Sequence, residues 1–182
     1  LPLIALVFGT AAIGSEIEDG TATFVLTKPM PRWKIVAAKL TGAAALTAAL
    51  VIPAAVVAGL LIAGDQGGGL GLTLAGAIAT LIAIVAYTAI FVALSIMTGR
   101  ALVVGLVYVL IWEGVLAGLF EGTRIFSVRQ YALAAWDALD GSGRIRAALD
   151  LLPAMGLAFL VTALAFAIAT DRLSRFQVRA PE

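Results

Sequence analysis

The stretch from Leu72 to Thr98, LTLAGAIATLIAIVAYTAIFVALSIMT, decides the fold. It contains no Asp, Glu, Lys or Arg, and it lacks the polar face at a 3.6-residue period that a helix on the surface of a soluble protein shows. About 20 consecutive apolar residues are enough for a helix to cross the hydrocarbon core of a bilayer. The stretch therefore predicts a transmembrane helix.

Further apolar stretches lie on both sides of it. We predict spans at 40–63, 72–98, 101–120 and 153–170, and the tail of a fifth span at 1–13. Hydrophobic residues make up 62% of the chain and charged residues 13%, whereas soluble domains have roughly a quarter charged residues. These features predict an all-α, polytopic transmembrane bundle that forms a single domain over residues 1–182. Because the chain begins inside an apolar run, we expect it to be truncated at its N-terminus.

Several kinds of chemistry are excluded by composition. The chain has no cysteine and no histidine, which removes disulfides, thiol nucleophiles, imidazole bases and Cys/His metal sites. A formal net charge of +1, with no basic patch, gives no basis for nucleic-acid binding. We therefore expect no catalytic residue, no metal site and no cofactor bound by this chain.

The basic residues predict the orientation. Alternating spans place one set of basic residues on one side: Lys28, Arg32, Lys34, Lys39, Arg100, Arg172, Arg175 and Arg179. The other side receives only Arg124, Arg129, Arg144 and Arg146. Because cytoplasmic loops hold the excess of Lys and Arg, the 14–34 segment and the C-terminus are predicted to be cytoplasmic, and the 121–152 loop external.

The external loop itself shows helical signals. Apolar residues recur at helical spacing: Ile125, Val128, Ala132, Ala135, Trp136 and Leu139. Ser127 and Gln130 fit a capping box at the start of this amphipathic helix, and Gly141-Ser142-Gly143 ends it. A second short helix is predicted before Pro153. Such helices are typical both of a packing lid and of a gate, and the sequence leaves both open.

The most polar part of the chain is GSEIEDGTATFVLTKPMPR, residues 14–32. Gly14 is suited to end the preceding helix, and Ser15 with Glu18 forms a capping box that would start a new, short one. The new helix would carry acids in its first turn and an apolar ridge. The ridge consists of Ile17, Thr21, Phe24 and Val25, and the stop signal of Lys28, Pro29, Met30 and Pro31. The pattern favours a docking element over a plain solvated turn.

The order of these residues resembles a family signature. Glu-x-Glu-x-Gly-Thr at 16–21, Lys-Pro-x-Pro-Arg at 28–32 and the following Lys39-Leu40 are similar to the cytoplasmic segment of the ATP-binding-cassette type-2 permeases. The resemblance implies a six-span exporter subunit in the plasma (inner) membrane, working as a homo- or heterodimer. It also implies that a short coupling helix docks on a separate cytoplasmic ATPase subunit, which holds ATP-Mg. The coupling residues so implied are Glu16, Ile17, Glu18, Asp19, Gly20, Thr21, Phe24, Val25, Lys28, Pro29, Pro31 and Arg32.

The residues themselves agree that ATP is bound elsewhere. No Gly-x-x-x-x-Gly-Lys-[Ser/Thr] sequence occurs, so an ATPase partner would have to supply the energy, and the chain is not expected to be an enzyme. The alternative function is a non-transporting membrane subunit that docks a cytoplasmic partner through the same segment.

Glu113 is the one charged side chain within a predicted span. An acid at mid-membrane costs about 2.5–3.5 kcal/mol, so it usually faces protein or water. Together with Gly114 and Gly118 it is a candidate for the translocation path or the subunit seam. Three other interpretations remain open: a protonated acid bonded to a neighbouring helix, a wet position near the outer surface, and glycines that serve packing within one subunit.

Overall fold

The computed structural model describes residues 1–18, 30–63, 69–119, 121–141, 145 and 147–175, with 15–18, 62–63, 118 and 121 described for the backbone alone. The elements are α1 (Pro2–Glu18), α2 (Arg32–Ala63), α3 (Gly69–Met97), α4 (Ala101–Val107), a π-helix (Tyr108–Leu116), α5 (Ala117–Leu119), a 3₁₀ helix (Glu121–Phe126), α6 (Val128–Asp140) and α7 (Leu151–Ser174). The predicted all-α class is confirmed.

Three of the described helices are long and apolar enough to cross a membrane: α2, α3 and α7. Residues 2–14 and 101–116 form shorter apolar helices. α2 begins at Arg32, eight residues before the apolar stretch that predicted it, and its 32 residues exceed the length that a bilayer core requires. Its first turns therefore extend beyond the hydrocarbon or the helix tilts.

Helix α3 is the centre of the bundle. In the most apolar continuous stretch of 18 residues, the buried share is 56% for α3, 11% for α2 and 17% for α7. α1, α2, α6 and α7 all pack against it. Small residues permit this close packing: a Cβ on Gly9 of α1 would lie 2.7 Å from the Cβ of Phe91 in α3. α3 therefore forms the central contact of the long helices and of α6.

The helix ends meet at two opposite ends of the bundle. Ile13 of α1, Ile35 of α2, Ile96 of α3 and Leu173 of α7 share one buried cluster. We call this the α1–α2 end. The α1–α2 end contains the end of α1, the start of α2, the Thr98–Arg100 turn and the end of α7. At the opposite, α2–α3 end, the indole of Trp136 donates a 3.2 Å hydrogen bond to the carbonyl of Leu72 near the start of α3.

Helix α1 does not break where the sequence predicted. Gly14 and Ser15 are both inside α1, which runs without interruption to Glu18. The predicted helix end at Gly14 and the new start at Ser15 are wrong, because packing of α1 along α3 outweighs local capping preferences: a Cβ on Gly14 would make ordinary contact with the Ser95 Cβ at 3.6 Å. The remainder of the predicted short helix, including Thr21, Phe24 and Val25, lies outside the described residues.

The segment after α5 turns back into the bundle. The Thr123 hydroxyl donates a 2.8 Å hydrogen bond to the Leu116 carbonyl, so the 3₁₀ helix runs antiparallel to the span that precedes it. Helix α6 then runs outward along α3, from Val128 in the interior to Trp136 at the α2–α3 end. It ends at Gly141, which adopts a left-handed φ of 61°. The predicted helix exists, but its first turn lies inside the bundle.

The buried face of α6 differs in part from the prediction. Val128 and Ala135 are buried as expected, whereas Ile125 and Leu139 are exposed. Tyr131, which the sequence did not single out, is completely buried and donates its hydroxyl to the Ile125 carbonyl at 2.8 Å.

Candidate functional site

The candidate site is built around Glu113, whose side chain is only 6% exposed. Its carboxylate accepts three hydrogen bonds. The Ser127 hydroxyl donates to Oε2 at 2.6 Å, the Val128 backbone N–H donates to Oε1 at 2.9 Å, and the Tyr108 hydroxyl donates to Oε1 at 3.3 Å. A backbone N–H can only donate, so the carboxyl group acts as an acceptor there. These contacts match one part of the interpretations left open by the sequence, an acid bonded to a neighbouring helix; the translocation path and the subunit seam stay predictions.

The π-helix brings Tyr108 and Glu113 together. Residues five apart do not share a face of an α-helix, where neighbours are three or four apart. The i→i+5 register of the π-helix places them on one face, within hydrogen-bond distance. π-helical segments are rare and are frequently found at functional sites, which makes this part of the span a candidate.

Glu113 also caps α6 from outside. Ser127 occupies the position before the first turn, as predicted, but its hydroxyl makes no capping bond. The Gln130 N–H instead reaches the Ser127 backbone carbonyl at 3.0 Å, so the predicted capping box is wrong. The Ser127 hydroxyl donates to the Glu113 carboxylate instead, because a carboxylate is a stronger hydrogen-bond acceptor than the groups of α6. The carboxylate thereby faces the positive end of the α6 dipole.

This arrangement stabilises a charge-bearing group within an apolar bundle. Two donors come from the start of α6 and one from the π-helix, so Glu113 links the 101–119 span to the segment that turns back beside it. Among the described residues, no group of three or more acids that could hold a metal ion is found. The geometry is that of a structural connection between two elements.

The comparisons with known proteins agree with the fold. The model of a family described as ABC-2 family transporter protein matches residues 1–134. The chain belongs to this family. No curated protein and no solved structure matches it.

The match spans α1 through the first half of α6, and so includes both the 14–34 segment and Glu113. The chain is therefore a membrane permease segment of an ATP-binding-cassette transporter, as the sequence resemblance implied.

Those predicted coupling residues that the structure describes lie at the α1–α2 end. Glu16, Ile17 and Glu18 belong to the last turns of α1. Pro31 precedes α2, and its carbonyl accepts the Lys34 N–H at 3.0 Å. Arg32 is the first residue of α2. The other predicted coupling residues, Asp19, Gly20, Thr21, Phe24, Val25, Lys28 and Pro29, lie outside the described part of the chain.

A cavity of about 570 Å³ lies beside this segment. It separates the end of α1, at Thr10 and Gly14, from the Thr98–Arg100 turn and the start of α4. The end of α1 therefore has open space on one side and the α3 contact on the other.

Gly114, one of the two predicted seam glycines, does not pack against another helix in the described part of the chain. A Cβ on Gly114 would meet only the Val109 carbonyl of its own segment, at 3.5 Å, and Gly114 is exposed. Gly118 is described for its backbone alone. Close approach occurs elsewhere: a Cβ on Gly105 would overlap Leu6 of α1, and one on Gly76 would lie 2.9 Å from the Trp136 ring. The structure thus shows no close helix packing at Gly114 among the described residues, and its place at the subunit seam stays a prediction.

Sequence reasoning missed Tyr108 and the role of Ser127 as a Glu113 partner. A signal existed for α6, since Val128, Tyr131 and Ala135 follow i, i+3, i+7 spacing. No sequence signal marks Tyr108, because its contact depends on the π-helical register.

Proposed function

We propose that this permease exports a substrate across the plasma membrane with energy from a separate cytoplasmic ATPase subunit, which holds ATP-Mg. Two permease subunits, identical or different, form the pathway. The 14–34 segment is the contact with the ATPase, and the acids Glu16, Glu18 and Asp19 meet basic residues of that partner.

The observation that supports this proposal most is the continuity of α1. The helix runs unbroken from its packed part, where Gly9 touches Phe91, to Glu18 next to the proposed contact. A helix without a break has no hinge at which displacement would be absorbed. A push on the 14–34 segment therefore moves α1 as a unit.

The contacts of α1 lead from that segment towards Glu113. Leu6 of α1 packs directly over Gly105 of α4, and α4 continues into the π-helix that carries Glu113. Glu113 in turn bonds to the start of α6. Movement of α1 would shift the 101–119 span and α6 together, and the exposed Gly114 face of that span would meet the second permease subunit.

Charge supports the cytoplasmic assignment of the α1–α2 end. Arg32, Lys34 and Arg100 lie there, and so do Arg172 and Arg175 at the end of α7. Lys34 lies 5.7 Å from the centre of the Trp33 ring, a pair suited to the headgroup level of a bilayer.

The experiment reverses the three acids in the transporter purified with its ATPase and reconstituted in vesicles. Glu16→Lys, Glu18→Lys and Asp19→Lys together should leave membrane insertion intact while ATP hydrolysis no longer drives transport. Asp150→Lys is the matched control, since Asp150 is exposed before α7 and its side chain makes no capping bond.

Full coupling in the triple variant would remove the proposed contact. Loss of coupling in the control as well would show a general charge effect. Single cysteines at Thr21 and Phe24, introduced into a chain that has no other cysteine, should crosslink to the ATPase; crosslinks only to lipid would contradict the proposal.

A further inference from the structure

The hydrogen-bond register of the backbone changes within the 101–119 span. At Tyr108 the backbone N–H bonds to the Val104 carbonyl, four residues earlier, as in an α-helix. At Ala117 the backbone N–H reaches the Trp112 carbonyl, five residues earlier, after the nine π-helical residues Tyr108–Leu116. Because π-helices are rare and α-helices common, the α register is the alternative structure for this segment.

The start of the π-helix is held in place by other helices. The Tyr108 ring packs edge-on against Phe91 of α3, with the ring centres 6.2 Å apart, and Phe91 is completely buried. Three residues earlier, Gly105 lies directly against Leu6 of α1. A change of register would therefore turn the part of the span that follows Tyr108.

The two registers place Glu113 differently. In the π register its Oε1 accepts the Tyr108 hydroxyl at 3.3 Å. In an α-helix, with 3.6 residues per turn, residues five apart lie about 140° from each other around the axis. The α register would therefore turn Glu113 away from the Ser127 hydroxyl and the Val128 N–H, which now lie 2.6 and 2.9 Å from its oxygens. The position of α6 inside the bundle thus goes with the π register.

The bundle has room for such a turn. A second cavity, of about 480 Å³, lies between the π-helix, α3 and α6. On the α3 side it is bordered by the small side chains of Ala79 and Ala83. On the side of the π-helix it is bordered by Val109, Leu110, Glu113 and Gly114. Side chains that turn with the register would meet this space instead of a close-packed core.

We propose that Tyr108–Leu116 is a two-state joint, which is π-helical while the start of α6 lies inside the bundle and α-helical when α6 is released from it. Glu113 connects the two changes, because only the π register brings its carboxylate to the start of α6. The exposed face of the span at Gly114 and Val115 turns with the register, so the joint links that face to the position of α6. This device is independent of the coupling of transport to ATP.

The test reads the register by crosslinking in the full-length transporter with its partner subunits in lipid nanodiscs. Leu110→Cys with Val115→Cys is the five-apart pair, and Ile111→Cys with Val115→Cys is the four-apart pair; all three positions are exposed, and the chain has no other cysteine. A short, membrane-permeant bis-methanethiosulfonate bridges cysteines on one face, and the mass of the peptide shows the bridge. The five-apart pair should be bridged in the wild type, because these residues share a face only in the π register.

Glu113→Leu removes the acceptor that ties the joint to α6. Bridging of the five-apart pair should then fall about tenfold, as expected when several hydrogen bonds are lost, while the four-apart pair stays bridged. Glu113→Gln is the matched control, because its amide oxygen still accepts a hydrogen bond, and it should keep most of the bridging. Gly76→Leu displaces α6 at the Trp136 contact, away from the π-helix, and should lower bridging of the five-apart pair as well.

Three results would overturn the proposal. The first is equal bridging of the five-apart pair in Glu113→Leu and the wild type. The second is loss of bridging in both pairs, because the segment would then unfold instead of changing register. The third is unchanged bridging in Gly76→Leu when a cysteine at Ala135, which is buried in the wild type, has become accessible to a water-soluble maleimide. The position of α6 and the register would then be unconnected.

Discussion

The Ser127 hydroxyl lies 2.6 Å from the Glu113 carboxylate, although the two residues are separated by a span end and a reversal of the chain. With the Val128 N–H at 2.9 Å, this contact joins the π-helix to the first turn of α6. The only charged side chain in the predicted spans is thus used to hold a returning helix within an apolar bundle.

Glu113→Leu should destabilise the protein. Leucine fills a similar volume, but it leaves the buried Val128 N–H and the Ser127 hydroxyl without their acceptor. Each unsatisfied buried donor costs about 1–3 kcal/mol, so the free energy of unfolding should fall by at least that amount. Glu113→Gln is the matched control, because its amide oxygen still accepts a hydrogen bond, and it should lose less. Thermal unfolding in detergent measures both; a Leu variant as stable as the wild type would contradict this role.

Glu113 and Ser127 should also be energetically coupled. Ser127→Ala removes one donor, and in combination with Glu113→Gln the two effects should deviate from additivity by about 0.5–3 kcal/mol, the range for residues in one hydrogen-bond network. The reference pair combines Thr47→Ala with Glu113→Gln. The buried Thr47 hydroxyl donates a hydrogen bond within its own helix, to the Ala43 carbonyl at 2.8 Å. Additivity in the Glu113–Ser127 pair, or equal coupling in the reference pair, would refute the link.

The helical class and the three long apolar helices α2, α3 and α7 follow from the sequence, because uninterrupted apolar stretches leave a membrane-crossing chain few alternatives. α6 was also predicted, from its apolar spacing and from Gly141. Its depth was not, because the same amphipathic pattern suits a helix on the surface and one inside the bundle. Only the Glu113 contact distinguishes the two.

Local helix-capping signals gave wrong predictions where contacts between distant segments favour a different structure. Gly14, Ser15 and Ser127 carry residue types that favour helix caps, yet α1 continues through Gly14 and Ser15, and the Ser127 hydroxyl bonds to the Glu113 carboxylate. The glycines also illustrate the difficulty. Gly114 belongs to a regular spacing and contacts no other helix among the described residues, whereas isolated Gly76 and Gly105 lie directly against neighbouring side chains. Contacts between segments far apart in the sequence determine which glycines lie in close helix packing, and the glycine spacing alone does not show them.

Gly14→Ala should be neutral or stabilising. Gly14 lies inside a helix, and its new Cβ would meet Ser95 at an ordinary contact distance of 3.6 Å. Replacing glycine by alanine inside a helix gains roughly 0.5–1 kcal/mol. Gly141→Ala is the opposite case, because φ is 61° there and alanine should destabilise the end of α6. Melting temperatures of the two variants should move in opposite directions; a loss of stability with Gly14→Ala would favour the helix end that the sequence suggested.

Gly76→Leu should release α6 from α3. A Cβ at Gly76 would already lie 2.9 Å from the Trp136 ring, and the rigid indole cannot yield without losing its hydrogen bond to the Leu72 carbonyl. Gly42→Leu is the matched control, since nothing lies within 4 Å of a Cβ there. A cysteine introduced at Ala135, which is 1% exposed, reports the outcome through reaction with a water-soluble maleimide. Labelling should be slow in the wild type and in Gly42→Leu and fast in Gly76→Leu, because only the last displaces the face of α6 that Ala135 occupies. Equal labelling in the two leucine variants would mean that the Trp136–Gly76 contact does not hold α6 in place.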